Sequence, residues 1–223
     1  MASRRSSREP SLLGICLCLL PFVLSCIQYF LLWLPADRPS LTSALVKALP
    51  VLSLAFFSWI QEAGSPSAPW VRLGLLLSAL GDVCLVWPNG FIYGMASFAV
   101  AHVLYIWTFG LRPARLGLLP PVGLAFGAFY AFLLPHLPPA LAVPVAGYMA
   151  ILGLVVWRGL ARGGRGRTLG ALLFTLSDSV LTLDAFVSPV PAARAVVMTT
   201  YYAAQCFLAL TVVEHGHPSP KAE

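Results

Sequence analysis

Long apolar runs follow one another along almost the whole chain, separated by short segments that contain proline, glycine or charged residues. The hydrocarbon core of a bilayer is about 30 Å thick, so a helix that crosses it needs about 20 apolar residues. The pattern predicts eight such helices, at residues 11–34, 41–60, 70–88, 90–110, 115–135, 140–157, 168–187 and 193–213. The third and fourth are separated only by "PNG", which predicts a tight turn.

This pattern predicts an all-α fold, a polytopic membrane protein with eight transmembrane helices. One transmembrane domain covers residues 11–213, between an N-terminal tail at 1–10 and a C-terminal tail at 214–223. Composition agrees, because 59% of the residues are hydrophobic and only 10% are charged. A soluble domain would carry about 25% charged residues.

The net charge of +6 could indicate a nucleic-acid partner, but the distribution of the basic residues favours a role in membrane topology. With eight spans, both termini lie on one side of the membrane. That side carries most of the 14 lysine and arginine residues, namely Arg4, Arg5, Arg8, Arg72, Arg112, Arg115, Arg158, Arg162, Arg165, Arg167 and Lys221. The other side carries Arg38 and Arg194, and Lys47 lies within the second span. Since cytosolic loops are rich in basic residues, both termini are predicted to be cytosolic.

Two aspartates lie inside apolar spans, in sequences that resemble each other. Asp82 occurs in "LSALGDVCL" and Asp178 in "LFTLSDSVL", which share the pattern L-x-x-L-[GS]-D-x-x-L. Tyr105 follows Asp82 by the same distance as Tyr201 follows Asp178. The spacing predicts two parallel four-helix repeats, related by an axis along the membrane normal.

Ionisable residues inside a membrane are costly, usually face the bundle interior, and are candidates for function. Positions four apart share a helix face, which groups Ser78 with Asp82 and Tyr201 with Gln205. We expect one polar cavity lined by Lys47, Ser78, Asp82, Asp178, Tyr201 and Gln205.

A structural role remains an alternative for these polar residues. Buried polar groups can act only as interhelical bonds, and Lys47 could simply neutralise Asp82. For His102, packing and a place in the cavity are both open. Asp184, near the outer end of its span, could equally be solvated.

Two carboxyl groups in a setting of low dielectric can serve as general acid and general base, one protonated and the other ionised. Such a pair would act on an acid-labile bond in an amphiphile, and a vinyl ether lipid fits. Protonation of the vinyl β-carbon gives an oxocarbenium ion, and water then gives a hemiacetal that collapses to an aldehyde and an alcohol. The chain lacks H-E-x-x-H, G-x-S-x-G and clustered His and Cys, so no metal and no cofactor are expected.

Five segments from the second, third, fourth, seventh and eighth spans together resemble the lysoplasmalogenase (YhhN-like) family. They are "LVKALPV", "LGDVCLVWP", "AHVLYIW", "GALLFTLSDSVL" and "TTYYAAQ". The resemblance implies an eight-span enzyme of the endoplasmic reticulum membrane. It would hydrolyse the vinyl ether of lysoplasmenylcholine and lysoplasmenylethanolamine, releasing a fatty aldehyde and glycerophosphocholine or glycerophosphoethanolamine.

The resemblance also implies roles for single residues. Asp82 and Asp178 become the catalytic pair, and Lys47, Tyr201, Tyr202 and Gln205 become lining residues of the substrate site. Within the pair we assign Asp178 as the acid, because it lies deeper, and Asp82 as the base, because Lys47 could keep it ionised. Either His102 or Lys47 would meet the substrate phosphate.

Two other functions fit the same residues. Repeated four-span units with carboxylates near the midplane also describe a small proton-coupled secondary transporter. Aspartates that only fix helix packing would indicate a lipid-binding or structural protein without turnover. Small-xxx-small pairs such as Gly123/Gly127 permit a homodimer.

Overall fold

The computed structural model describes residues 12–35, 38–61 and 65–214. The predicted N-terminal tail at 1–10 lies outside this part of the chain, as does the predicted C-terminal tail at 214–223 except for residue 214. The described residues form eight α-helices and no β-strand. The helices are α1 (Leu12–Leu32), α2 (Leu41–Ile60), α3 (Ala68–Cys84), α4 (Phe91–Phe109), α5 (Leu119–Leu133), α6 (Pro139–Arg162), α7 (Arg165–Phe186) and α8 (Ala193–Glu214). The prediction of an all-α fold is therefore confirmed.

The helix ends follow local sequence signals. Ser40 caps α2 by accepting a hydrogen bond from the Ser43 backbone N–H at 3.0 Å, as serine commonly does at a helix start. The predicted turn at "PNG" is a short 3₁₀ helix, Pro88–Gly90. α3 ends at Cys84 rather than at residue 88, because the Val86 and Trp87 N–H groups donate to carbonyls three residues back instead of four. By contrast, α6 runs five residues beyond its predicted end, to Arg162. It is followed by Gly163 and Gly164, whose φ values of 73° and 92° favour glycine.

Seven of these eight helices, together with short 3₁₀ turns that extend α4 and α5, have the length and apolar composition needed to cross a membrane. The remaining helix, α3, has 17 residues. Large apolar side chains are exposed on the outside of the bundle, among them Leu12, Leu124 and Val143, each with 76% or more of its surface accessible. Contiguous apolar surface of this kind is typical of contact with lipid, which supports a polytopic membrane protein.

Packing within the bundle groups the helices in two similar sets. In the first, α2 contacts α1 and α3, and α3 contacts α4; in the second, α6 contacts α5 and α7, and α7 contacts α8. Two contacts join the sets, one between α2 and α8 and one between α4 and α6. These two contacts are equivalent if α1 to α4 correspond in order to α5 to α8. An additional contact joins α3 with α8. This arrangement suits the predicted repeat, which stays a prediction.

Two ends of the bundle can be distinguished by contacts between loops. At the Glu214 end, the Glu214 carboxylate accepts a hydrogen bond from the Gly166 N–H at 3.0 Å, and Arg158 Nε donates to the Gly110 carbonyl at 2.7 Å. At the Arg194 end, Arg194 Nη1 donates to the Leu34 carbonyl at 2.8 Å. The Arg194 end therefore carries the described connecting residues 33–35, 38–40, 85–90, 134–138 and 187–192, because neighbouring helices are antiparallel.

Candidate active site

A cavity of about 370 Å³ lies within the bundle, toward the Arg194 end. Every helix except α5 contributes to its wall. Its volume is within the range of about 300–1,000 Å³ that small-molecule sites usually have. Most of the wall is apolar, and the polar groups that reach it include Lys47, Asp82, Tyr148, Asp178 and Tyr201.

Asp82 lies on α3, two residues before this helix ends, and its side chain is only 2% exposed. Tyr201 of α8 donates its hydroxyl to Asp82 Oδ2 at 2.6 Å. Lys47 of α2 places its Nζ 3.9 Å from Asp82 Oδ1. A carboxylate buried to this extent needs a counter-charge and hydrogen bonds to offset its lost hydration, and two other helices, α2 and α8, supply them.

Asp178 lies on α7, eight residues before this helix ends, and is half-buried. Tyr148 of α6 donates its hydroxyl to Asp178 Oδ2 at 2.5 Å. Among the described residues, no lysine or arginine lies within ion-pair distance of this carboxyl. The two aspartates therefore share one cavity and one type of partner, a tyrosine hydroxyl, but differ in having a cation nearby.

Four of the predicted site residues line the cavity and four do not. Lys47, Asp82, Asp178 and Tyr201 line it, whereas Ser78, His102, Tyr202 and Gln205 are buried behind the wall. The functional roles assigned to all eight stay predictions.

Contacts of these buried residues connect them to the cavity wall. Tyr202 donates its hydroxyl to the Lys47 backbone carbonyl at 2.8 Å and so fixes the part of α2 that carries the lysine. Gln205 Oε1 accepts a hydrogen bond from Tyr105 at 3.0 Å, which joins α8 to α4. His102 uses Nδ1 in a hydrogen bond with the Phe98 carbonyl, and its ring meets Phe174 edge-on at 4.4 Å between centroids.

Tyr148 and Arg194 line the cavity and were not predicted from the sequence as part of a site. Tyr148, the partner of Asp178, is one of several tyrosines in apolar spans and carries no motif of its own. Arg194 was assigned only to topology, yet it lies at the cavity wall. Asp184 also reaches the wall, and its Oδ1 accepts a hydrogen bond from the Val190 N–H at 2.9 Å, which braces the connection between α7 and α8.

Comparison with known proteins identifies the family of this bundle. Residues 42–212, which include all four lining residues predicted from the sequence, match the YhhN family. The chain belongs to the YhhN family. The match begins in α2 and ends two residues before the end of α8, so it covers the whole wall of the cavity except for the part that precedes residue 42.

Relatives with assigned names match nearly the full length of this YhhN-family chain. Lysoplasmalogenase TMEM86B of Sus scrofa is 52% identical over 201 residues, which cover 90% of this chain and 87% of the relative. Lysoplasmalogenase TMEM86B of Homo sapiens is 50% identical, with 94% and 91% covered. Lysoplasmalogenase TMEM86A of Bos taurus is 43% identical, with 90% of each chain covered. No solved structure matches the chain significantly.

Proposed function

We propose that this protein is a lysoplasmalogenase that hydrolyses the vinyl ether bond of lysoplasmenylcholine and lysoplasmenylethanolamine. The products are a fatty aldehyde and glycerophosphocholine or glycerophosphoethanolamine. The names of the relatives support the reaction class, since half of the residues are identical over most of the chain. The observation that carries the mechanism is that Asp82 and Asp178, from different helices, line one cavity in a membrane protein.

The chemistry needs one proton donor and one activated water. An aspartic acid transfers its proton to the vinyl β-carbon, and the electrons of the double bond form the new C–H bond, which leaves an oxocarbenium ion. The second aspartate removes a proton from water as the water oxygen bonds to the oxocarbenium carbon. The resulting hemiacetal then breaks its bond to the glycerol oxygen, which takes the proton held by the second aspartic acid. The hemiacetal hydroxyl gives its proton to the first aspartate as the aldehyde C=O forms, so both carboxyls return to their starting states. Each proton transfer of this kind contributes about 10²- to 10⁴-fold to a rate.

The surroundings of the two aspartates support Asp178 as the acid and Asp82 as the base. The Lys47 ammonium, 3.9 Å from Asp82 Oδ1, favours the carboxylate form of Asp82. No described cation is within ion-pair distance of Asp178, so its charged form lacks that support. Tyr148 and Tyr201 hold the carboxyls in place, one each.

Other predicted residues would act through these groups. Lys47 lines the substrate site directly, while Tyr202 positions Lys47 through its backbone carbonyl. Ser78, His102 and Gln205 would support the helices that carry the catalytic residues from behind the wall. This distribution keeps the reacting groups on rigid helices, which helps to maintain the geometry of the site.

We further propose that all eight helices cross the membrane as two parallel repeats of four, with both termini in the cytosol. Gly74 and Gly170, which lie at matching positions of the two repeats, both allow close approach of the following helix. We expect the protein to reside in the endoplasmic reticulum membrane. The open glycine face of α5, where a Cβ added at Gly123 or Gly127 would meet nothing within 4 Å, permits a homodimer.

The test is release of aldehyde from lysoplasmenylcholine by the purified protein in detergent. We expect Asp82→Asn and Asp178→Asn each to lower the rate by at least about 100-fold, because each removes one proton-transfer group. Glu214→Gln, a matched change outside the cavity, should retain the activity. Thermal unfolding of each variant shows whether it is folded.

Two results would contradict this function. Absence of aldehyde from folded wild type would exclude the hydrolase and favour the proton-coupled transporter, which is then tested in liposomes. Activity that survives both aspartate substitutions would exclude the acid–base pair while leaving the reaction intact.

A further inference from the structure

Arg194 is held rigidly at the wall of the cavity, at the start of α8. Its Nε donates to the Tyr29 hydroxyl at 3.1 Å, and its Nη1 donates to the Leu34 carbonyl at 2.8 Å. The guanidinium carbon lies 4.3 Å from the centre of the Trp33 ring and 5.4 Å from that of Tyr29. Arginine held by stacking and by two hydrogen bonds loses little further freedom when it binds a ligand.

The contacts of Arg194 leave part of its binding capacity unused. Within the described residues, its Nη2 donates no hydrogen bond, and no carboxylate lies within ion-pair distance of the guanidinium. Lys47, the other cation in the described wall, is already beside Asp82. Of the two cations that line the cavity in the described part of the chain, Arg194 is therefore the one without an anionic partner. A guanidinium binds phosphate oxygens well.

The spacing along α8 matches the shape of a lysophospholipid. Arg194 and Tyr201 are seven residues apart, which places them on the same face and about 10 Å apart along the helix axis. The Tyr201 hydroxyl lies 2.6 Å from Asp82 Oδ2, so the Asp82 carboxylate is next to Tyr201. In the substrate, the phosphate and the vinyl ether are separated only by the glycerol backbone, so the phosphate can lie near Arg194 while the vinyl ether lies between the aspartates.

We propose that Arg194 binds the phosphodiester of the lysolipid and determines that the enzyme prefers phosphorylated substrates. This inference rests on the proposed function. The phosphodiester is common to the choline and ethanolamine lipids, so one arginine serves both. Arg194 thereby takes the phosphate contact that the sequence suggested for His102 or Lys47. His102 lies behind the cavity wall, and the Lys47 ammonium is already paired with Asp82.

The experiment compares two substrates that differ only in the presence of the phosphocholine group. Hydrolysis of lysoplasmenylcholine and of 1-alkenylglycerol is measured with wild type, Arg194→Gln and Arg194→Lys. We expect Arg194→Gln to lower kcat/KM for lysoplasmenylcholine by about 10- to 100-fold, mainly through KM, since it removes a charge-assisted hydrogen bond. Hydrolysis of 1-alkenylglycerol should be unchanged. Arg194→Lys should fall between, because lysine keeps the charge but loses the planar fork and the stacking.

Controls separate phosphate binding from a structural role. Arg38→Gln makes the same change at an exposed position of the Arg194 end that does not line the cavity, and it should leave the ratio of the two activities unchanged. Tyr29→Phe removes one hydrogen bond to Arg194 without removing its charge, and it should keep the preference for the phosphorylated substrate. An equal loss on both substrates in Arg194→Gln would show only a brace between α1 and α8, and no loss on either would also overturn the inference.

A binding measurement tests Arg194 independently of turnover. Quenching of tryptophan fluorescence in a nonionic detergent is followed with the unreactive 1-alkylglycerophosphocholine and 1-alkylglycerol. We expect Arg194→Gln to weaken binding of the first by about 10-fold or more and of the second not at all. If wild type releases no aldehyde from either substrate, the proposed function fails, and this measurement still decides whether Arg194 binds the phosphodiester. Equal binding by wild type and Arg194→Gln would overturn the inference.

Discussion

Tyr148 shows what a single side chain contributes to this site. Its hydroxyl donates to Asp178 Oδ2, as the Tyr201 hydroxyl donates to Asp82 Oδ2. Each hydroxyl therefore limits the directions in which its carboxyl can present the other oxygen to a substrate. A catalytic group that is displaced by as little as 1 Å can lose much of its effect on the rate.

We expect Tyr148→Phe to lower the rate of aldehyde release by about 10-fold, because Asp178 loses the hydrogen bond that orients it. Steady-state kinetics with lysoplasmenylcholine measure the effect. Tyr130→Phe is the matched control, since its hydroxyl donates to the Ala142 carbonyl and the residue does not line this cavity. Equal rates for both variants would show that Asp178 does not depend on Tyr148.

Close contact between helices is what brings the catalytic residues into one cavity. A methyl group at Gly74 of α3 would lie 2.6 Å from Tyr105 Cε1 of α4, and one at Gly170 of α7 would lie 2.8 Å from Leu208 Cγ of α8. Real side chains do not approach so closely. Glycine at these two positions therefore sets how near each aspartate-bearing helix lies to the next helix.

For these helices we expect Gly74→Ala to reduce stability by about 1–3 kcal/mol, because Tyr105 must move in a packed interior. The melting temperature in detergent measures the change. Gly147→Ala on α6 is the control, since nothing lies within 4 Å of the added methyl group. It should leave the melting temperature unchanged or raise it slightly, as alanine favours a helix by about 0.5–1 kcal/mol over glycine. Equal melting temperatures for the two variants would contradict the close packing of α3 on α4.

The molecule as a whole has one end rich in arginine and one end with the cavity. Arg158, Arg162 and Arg165 lie at the Glu214 end, whereas the cavity lies toward the other. If basic residues face the cytosol, the substrate reaches the site from the opposite leaflet. The lysolipid would then be hydrolysed in the leaflet opposite the cytosol.

Labelling with a membrane-impermeant maleimide on sealed microsomes measures this orientation. In a variant without the five native cysteines, Arg165→Cys should react at once, because the residue is exposed at the predicted cytosolic end. Ser188→Cys, exposed at the Arg194 end, should react only after the membrane is permeabilised. The reverse pattern would place the cavity toward the cytosol, and retained aldehyde release shows that the cysteine-free protein is folded.

The chain by itself determined the helices and the two aspartates. Helices are local structures, so apolar runs of sufficient length were enough to locate all eight, with errors only at ends such as Cys84 and Arg162. A carboxylate in an apolar run is costly whatever surrounds it, and this singled out Asp82 and Asp178.

Only the tertiary structure decided which side chains meet around them. Tyr148 reaches Asp178 and Arg194 reaches the cavity wall because of how α6 and α8 are rotated against their neighbours, and no local pattern records that rotation. The same packing turned His102 toward Phe174 and placed Ser78 and Gln205 behind the wall. A residue's type and its position in the sequence fix the cost of burying it, whereas its partners depend on contacts between helices that are distant in the chain.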